Sequence, residues 1–297
     1  MMSQSDREET WARVRRTLAV DRMGTDPQAP ALPRRLDGRV RAGATLAIES
    51  EIAGALMVEF GEIWGRPGLD LRTRAFLTLA SLQALGASDQ LYRHVNIALN
   101  LLVTPEEIHE AFLQASVYCG LPSREEAAAV ATEVFVHRGI LPAGDGAVAE
   151  PKAPMDLDGR KQAMRSVGAA LGLGRHGTSS DGSRLESLPG TPWSMGAAER
   201  GPVENDLALI GGEHGYGEVW GRPGLELRIR SFITIAVLQV KVENDQLHFH
   251  INNALNLGIT VDAVQEALAH VGLYGGISGW NNASNVAKHV FHQRGVS

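Results

Sequence analysis

Seven side chains with chemical handles occur twice in this 297-residue chain, each pair separated by 156 positions. Glu62, Trp64, Arg66, Arg74, Gln90, His94 and Tyr118 recur as Glu218, Trp220, Arg222, Arg230, Gln246, His250 and Tyr274. An imidazole exchanges protons near neutrality, and a nearby carboxylate such as Glu62 or Glu218 can orient it. A guanidinium holds a carboxylate bidentately, and a phenol donates to a developing oxyanion. Each type also has a structural reading. A helix histidine or tyrosine can be a hydrogen-bonded core residue, Arg66 and Arg222 can cap and pair around a turn, and Trp64 and Trp220 can simply pack.

These residues sit in a duplicated frame. The stretch GEIWGRPGLDLRTRAFLTLA at 61–80 returns as GEVWGRPGLELRIRSFITIA at 217–236. From there, 61–140 aligns with 217–296 without a gap, and 37 of the 80 pairs are identical, which places one domain in the chain twice. A period this long suits tandem globular domains rather than a solenoid. The expected organisation is a first domain at 1–140, a Pro/Gly/Ala-rich linker at 141–156 and a second domain at 157–297, each long enough to bury its own core.

Helical periodicity runs through both halves, with no strand-like alternation, so the expected fold class is all-α. Trp11, Val14 and Leu18 mark a helix over 6–18, the prolines of 21–36 mark a loop, and 44–64 predicts a long core-facing helix. The tetrapeptide Gly65-Arg66-Pro67-Gly68 ends it, proline blocking continuation and the glycines permitting positive φ. Helices follow from Leu69 to Gly86 with an apolar side of Leu71, Ala75, Phe76, Leu79 and Leu82, then over 89–102. After the capping box of Thr104, Pro105 and Glu107 one runs to Tyr118, and a last one covers 122–138. The second half predicts helices near 158–172, 203–220, 226–241, 245–257, 261–274 and 280–293. Its Gly/Ser-rich insertion at 174–200 reads as a lid or as a disordered loop. Gly258 replaces Leu102 at a helix end, where glycine fits better.

A net charge of −6 leaves no basic surplus to attract nucleic acid or anionic lipid. The polar start MMSQSDREET and the absence of a bilayer-length apolar run make the cytoplasm the expected location. Cys119 is the single cysteine, so an internal disulfide or a CxxC pair cannot form. His248 and His250 form an HxH, but on a helix they point about 200° apart and would not share a metal.

The runs W-G-R-P-G-L-[DE]-L-R-x-R and D-Q-L-x-x-H-x-x-x-A-L-N, followed by a tyrosine one helix later, resemble the carboxymuconolactone decarboxylase family of the AhpD-like superfamily. The resemblance covers about 80 residues of each half. It implies an all-α tandem repeat of two such domains, a decarboxylase (lyase) of aromatic compound catabolism, and no cofactor or metal. The superfamily's peroxidase branch uses a CxxC ahead of the helix histidine. Here Ala87 and Gln90, and Glu243 and Gln246, occupy those places, so dithiol peroxidase chemistry is excluded.

Family decarboxylases take CO2 from a small carboxylated lactone. The resemblance then implies roles by residue. His94 and His250 would handle the proton, acting as acids with a pKa near neutrality, and Glu62 and Glu218 would orient them. Tyr118 and Tyr274 would meet the oxyanion. Arg66, Arg74, Arg222 and Arg230 would hold substrate carboxylates, with Trp64 and Trp220 beside them. Gln90 and Gln246 stand where such decarboxylases commonly carry an acidic residue, a departure that bears on the substrate. The surplus of histidines in the second half points to the more developed site there. Two alternatives stay open: an isomerase or cyclase using the same pocket, or a non-catalytic helical ligand-binding protein whose paired His and Arg residues share no cavity. The resemblance also implies a ring-like homotrimer with pseudo-sixfold symmetry or a homodimer, acting on a small molecule and without nucleic acid or membrane partners.

Overall fold

The computed structural model describes residues 4–20, 22–33, 61–142, 155–172 and 201–296. These are helical, apart from loops and one isolated antiparallel bridge between Arg22 and Ala31. Only 61–64 of the expected helix at 44–64 falls among them. The insertion at 174–200 and most of the linker lie outside the described residues.

The first half contains α1 (Gln4–Leu18), α2 (Leu71–Leu85), α3 (Ser88–Asn100), α4 (Pro105–Cys119) and α5 (Leu121–His137). The second contains α6 (Leu157–Leu171), α7 (Pro202–Ile210), α8 (Leu227–Lys241), α9 (Asn244–Asn256) and α10 (Val261–Gln293). Beyond α7 the chain continues through π-helical turns over Gly211–Val219. Inside α10, Gly276 leaves the helical region at φ 80°, ψ 164°, matching Gly120 at φ 90°, ψ 154° between α4 and α5. The long α10 is therefore two helices joined at a glycine, as its sequence predicts. Thr104 and Glu107 form the expected reciprocal capping box.

Two features go beyond the sequence expectations. Residues 73–83 of α2 are all buried, so α2 is enclosed rather than one-sided, and α2 and α8 pack against each other at the centre. In addition, α4 crosses onto α8 and α10 crosses onto α2. Most buried apolar side chains of both halves consequently form one continuous cluster, with Phe76, Leu79, Phe112, Phe232, Ile235 and Val264 at 0–1% exposure, while Val167, Leu171 and Trp220 form a smaller one. Each such side chain contributes about 1.5–3 kcal/mol on burial.

The pseudo-symmetry also reaches upstream of the aligned block, at a shift of 153. Asn100 donates to the Leu18 carbonyl at 3.0 Å, and Asn256 donates to that of Leu171 at 2.9 Å. Arg138 and Arg294 clamp the far ends of α3 and α9, each donating to two asparagine oxygens: Asn96 and Asn100 at 2.8 and 2.6 Å, Asn252 and Asn256 at 2.7 and 2.9 Å. These bonds fix the helices that carry His94 and His250.

Besides Ala19 after α1 at φ 43°, two helix ends take a positive φ without glycine where the other half has one: Leu102 at φ 62°, where the second half has Gly258, and Val242 at φ 59°, where the first has Gly86. An L side chain costs about 1–2 kcal/mol in that region, against about 0.5–1 kcal/mol of extra chain entropy for glycine. Leu102→Gly and Val242→Gly should therefore each raise stability by about 0.5–1 kcal/mol, read as a higher denaturant midpoint.

Candidate functional site

On α4, Glu110, Gln114 and Tyr118 are spaced i, i+4, i+8 and so share one face; Glu266, His270 and Tyr274 do the same on α10. Because α4 and α10 cross to the opposite half, each stripe faces the other repeat's tryptophan turn. Two clusters result. One joins Trp64, Arg66, Arg74, Thr78 and His94 to Glu266, His270 and Tyr274. The other joins Trp220, Arg222, Arg230, Thr234 and His250 to Glu110, Gln114 and Tyr118. Neither cluster lies within a single repeat.

The tryptophan turn works through close approach, not through unusual φ. None of Gly65, Gly68, Gly221 and Gly224 has a positive φ, which corrects the expectation drawn from their sequence. A Cβ on Gly68 would lie 2.4 Å from Glu266 Cγ, and one on Gly224 would lie 2.7 Å from Glu110 Cγ. The glycines are what let the partner carboxylate reach the turn.

Arg74 and Arg230 are fully buried and already engaged, so the expected grip on a substrate is corrected for them. Arg74 donates to Glu266 at 3.0 Å and to the carbonyls of Leu69 and Arg66. Arg230 donates to Glu110 at 2.8 Å and to the carbonyls of Leu225 and Arg222. Arg66 also reaches Glu266, through Nε at 2.7 Å and Nη2 at 2.5 Å, yet its side chain stays 52% exposed. Arg222 donates from Nε to Glu110 at 2.7 Å and is 16% exposed. Burial alone would raise the two carboxyls. The hydrogen bonds and charges of the paired arginines outweigh it, holding Glu266 and Glu110 below the usual carboxylate range.

Donors converge on both phenol oxygens. Trp64 Nε1 donates to Tyr274 Oη at 3.2 Å, and Thr78 Oγ1 donates to it at 3.1 Å. Trp220 Nε1 donates to Tyr118 Oη at 3.1 Å, and Thr234 bonds the same oxygen. Burial pushes both phenols well above the usual tyrosine value. His94 stacks on Trp64 with ring centroids 6.0 Å apart and meets Tyr274 edge-on at 5.8 Å. His250 stacks on Trp220 at 5.8 Å and meets Tyr118 at 5.1 Å. Burial, reinforced by the charge of Arg93, pushes His94 down to about 3, so it is a neutral imidazole at physiological pH. An acid poised near neutrality, expected from residue type, is corrected for this ring because it is buried.

Other expected residues stand apart. The Glu218 carboxylate accepts from Met155 N at 3.2 and 3.1 Å and lies 3.8 Å from Arg222, tying the start of the second half to the turn rather than orienting a histidine. Glu62 is half-buried on the preceding turn. Gln90 is exposed and Gln246 half-buried, each one turn ahead of the site histidine. The histidine surplus does not build up the second half's cluster: His248 bonds Gln293 at 2.9 Å and lies near His289, while His270 serves the cluster built on the first half's turn.

Sequence reasoning missed Thr78, Thr234, Glu110, Glu266, Gln114, His270 and Tyr216, whose ring lies 5.9 Å from Trp220. The threonine and glutamate pairs are identical under the 156-residue shift, a signal that was available. Tyr216 has Phe60 as its counterpart and carried no such signal.

A cavity of 260 Å3 adjoins the first cluster. It is lined by Trp64, Gly65, Arg66, Leu69, Asp70 and Leu71, together with Arg13, Val14 and Thr17 of α1. His94, His250 and Arg222 are not among its lining residues. A second cavity, of 320 Å3, lies between the starts of α2 and α8, away from both tyrosines. Among the described residues no helix is long and apolar enough to cross a membrane.

Comparison with known proteins places this pattern. The chain is 45% identical over 83 residues to the 4-carboxymuconolactone decarboxylase of Acinetobacter baylyi, covering 28% of this chain and 62% of that protein. It is 47% identical over 68 residues to the nitrosuccinic acid decarboxylase of Metarhizium robertsii, covering 23% and 48%. It is 36% identical over 85 residues to an uncharacterized 15.0 kDa protein of Paracoccus denitrificans, covering 28% and 63%. The chain thus spans about half to three-fifths of the length of the curated relatives it matches. The model of the carboxymuconolactone decarboxylase family matches residues 53–133 and again 212–289, more than half of the chain, and the chain belongs to that family.

Proposed function

We propose that the chain is a carboxy-lyase acting on a small carboxylated lactone, such as 4-carboxymuconolactone, or on a related enolisable acid. The observation that carries this reading is the pair of phenol oxygens, each receiving two donors. These contacts fix the orientation of each phenol and of its O–H. When the bond to the departing carboxylate breaks, its electrons pass into the adjacent conjugated carbonyl, and that O–H meets the oxygen where charge collects. Arg66, with Nε and Nη2 on Glu266, has Nη1 for a substrate carboxylate, which positions the acid for cleavage. His94 is neutral and stands beside Tyr274, so it takes part as an uncharged acceptor or donor, and the reaction does not depend on an imidazolium there.

The test is CO2 release from 4-carboxymuconolactone. The unmodified protein should release CO2, and the double variant His94→Ala/His250→Ala should do so at least about 100-fold more slowly. Because His94 stays neutral down to about pH 3, its protonation should remove no activity between pH 8 and pH 5. Absence of CO2 from the unmodified protein would sink the proposal. A second reading, a non-catalytic ligand-binding protein, draws on one observation: the cavity bordered by Arg66 and Trp64 does not include His94. It expects saturable binding of the same acid with no turnover.

A further inference from the structure

The hydrogen-bonded side chains of the two clusters match at every position but one. Where the first has His270, the second has Gln114, and both bridge an arginine to a threonine. Arg74 Nη1 lies 3.4 Å from His270 Nδ1, and His270 Nε2 lies 2.9 Å from Thr78 Oγ1. Arg230 Nη1 lies 3.3 Å from Gln114 Oε1, and Gln114 Nε2 lies 3.1 Å from Thr234 Oγ1.

Arginine can only donate, which fixes the direction of each chain. Facing Arg74, Nδ1 of His270 must accept, so the proton sits on Nε2 and is donated to Thr78. Thr78 then passes its own proton toward Tyr274, in agreement with the 3.1 Å bond between them. In the other cluster, Gln114 accepts from Arg230 with its carbonyl and donates to Thr234 with its amide. An amide has this polarity built in and cannot carry a proton. Histidine acquires it here through a single tautomer.

We infer that His270 acts as a hydrogen-bond wire of fixed polarity rather than as a proton carrier, that Gln114 performs the same task in the second cluster, and that both clusters thereby hold their tyrosine as a donor. His270 is therefore a positioning residue that acts through Thr78 on Tyr274. The groups facing the ring agree with this role. Burial comes first, the Arg74 charge and the His94 ring add to it, and a hydrogen bond to the Arg74 backbone opposes them, the balance holding His270 well below the usual imidazole value. The carboxylate one turn earlier on α10, Glu266, is occupied by Arg66 and Arg74.

This deepens the decarboxylase reading and rests on it for its kinetic arm, so the experiment has a second arm that does not. In the full chain labelled with 15N-histidine, the His270 ring, assigned by its loss in His270→Gln, should show the neutral Nε2–H tautomer throughout pH 5–8. In Gln114→His, the new ring should adopt the same tautomer. An Nδ1–H tautomer, or an imidazolium forming within that range, would overturn the inference whether or not CO2 is released. In the kinetic arm, measured with Tyr118→Phe present so that only the first cluster reports, His270→Leu should lower CO2 release about 100-fold. His270→Gln should restore it to within about fivefold of the parent, with an unchanged pH profile. A glutamine variant as slow as the leucine variant, or one that loses a limb of the pH profile, would show that the ring moves a proton.

Discussion

Replacing both phenols, as Tyr118→Phe/Tyr274→Phe, is expected to lower the rate of CO2 release by about 10²–10³, the cost of removing a preorganised oxyanion donor, equivalent to about 2.7–4 kcal/mol. Each single variant should retain about half of the activity, because the other cluster keeps its complete donor chain. The measurement is kcat at saturating substrate alongside KM. An oxyanion donor acts in the transition state, so kcat should fall while KM changes little. The substitutions also leave Trp64 and Thr78, or Trp220 and Thr234, without their shared acceptor, which costs about 1–3 kcal/mol per buried group. Rates must therefore be compared below the unfolding temperature of the variant. A double variant that stays folded and releases CO2 at the parent rate would remove the tyrosines from the mechanism. If one single variant abolished activity and the other left it unchanged, only one cluster would be active.

The duplication explains why both clusters exist in one chain. Each needs a tryptophan turn from one repeat and the stripe Glu-xxx-[Gln/His]-xxx-Tyr from the other. The fused pair supplies both combinations at once through the crossing of α4 onto α8 and of α10 onto α2. The same crossing merges the two hydrophobic cores, so the repeats are separate in sequence but not in packing.

Helix positions and caps were legible because they follow from local rules. The Thr104 capping box, the Gly86 terminus and the break at Gly276 each depend on a few adjacent residues. The enclosure of α2 was not legible. An apolar face built from Leu71, Phe76 and Leu82 does not reveal that Arg74, Thr78 and Gln83 will be buried too, because their partners come from elsewhere in the chain. The site was legible in its tryptophan, histidine and tyrosine, which recur in both copies. The function of its arginines was not, since Glu110 and Glu266 occupy the guanidinium groups from about 110 to 200 positions away. The neutrality of His94 was hidden for a related reason: residue type gives the ordinary pKa, whereas the shift comes from burial created by the whole fold.

Removing the bridging carboxylates should be the most damaging change to stability. Glu266→Ala leaves the guanidinium of Arg74, which is 0% exposed, with backbone carbonyls and the His270 ring but without its hydrogen-bonded counter-charge, only the weaker influence of Asp70 remaining. Breaking a buried pair in this way costs about 3–5 kcal/mol. Glu110→Ala should cost a similar amount through Arg230, which is also 0% exposed. Chemical denaturation measures both. Replacing the pair together, as Glu266→Leu/Arg74→Met, should recover most of the loss, because the uncompensated charge is gone while Arg66 remains half-exposed to water. If the double replacement were as unstable as Glu266→Ala, shape at the turn rather than charge would be the cause. Acid gives an independent check. The folded carboxyls are held below their ordinary value of 4.5, so their contribution is fully present above that pH and is lost as pH falls through the folded values. The parent protein should therefore lose stability steeply below about pH 4.5, whereas Glu110→Ala and Glu266→Ala, already lacking one such group each, should show a shallower decline over the same range.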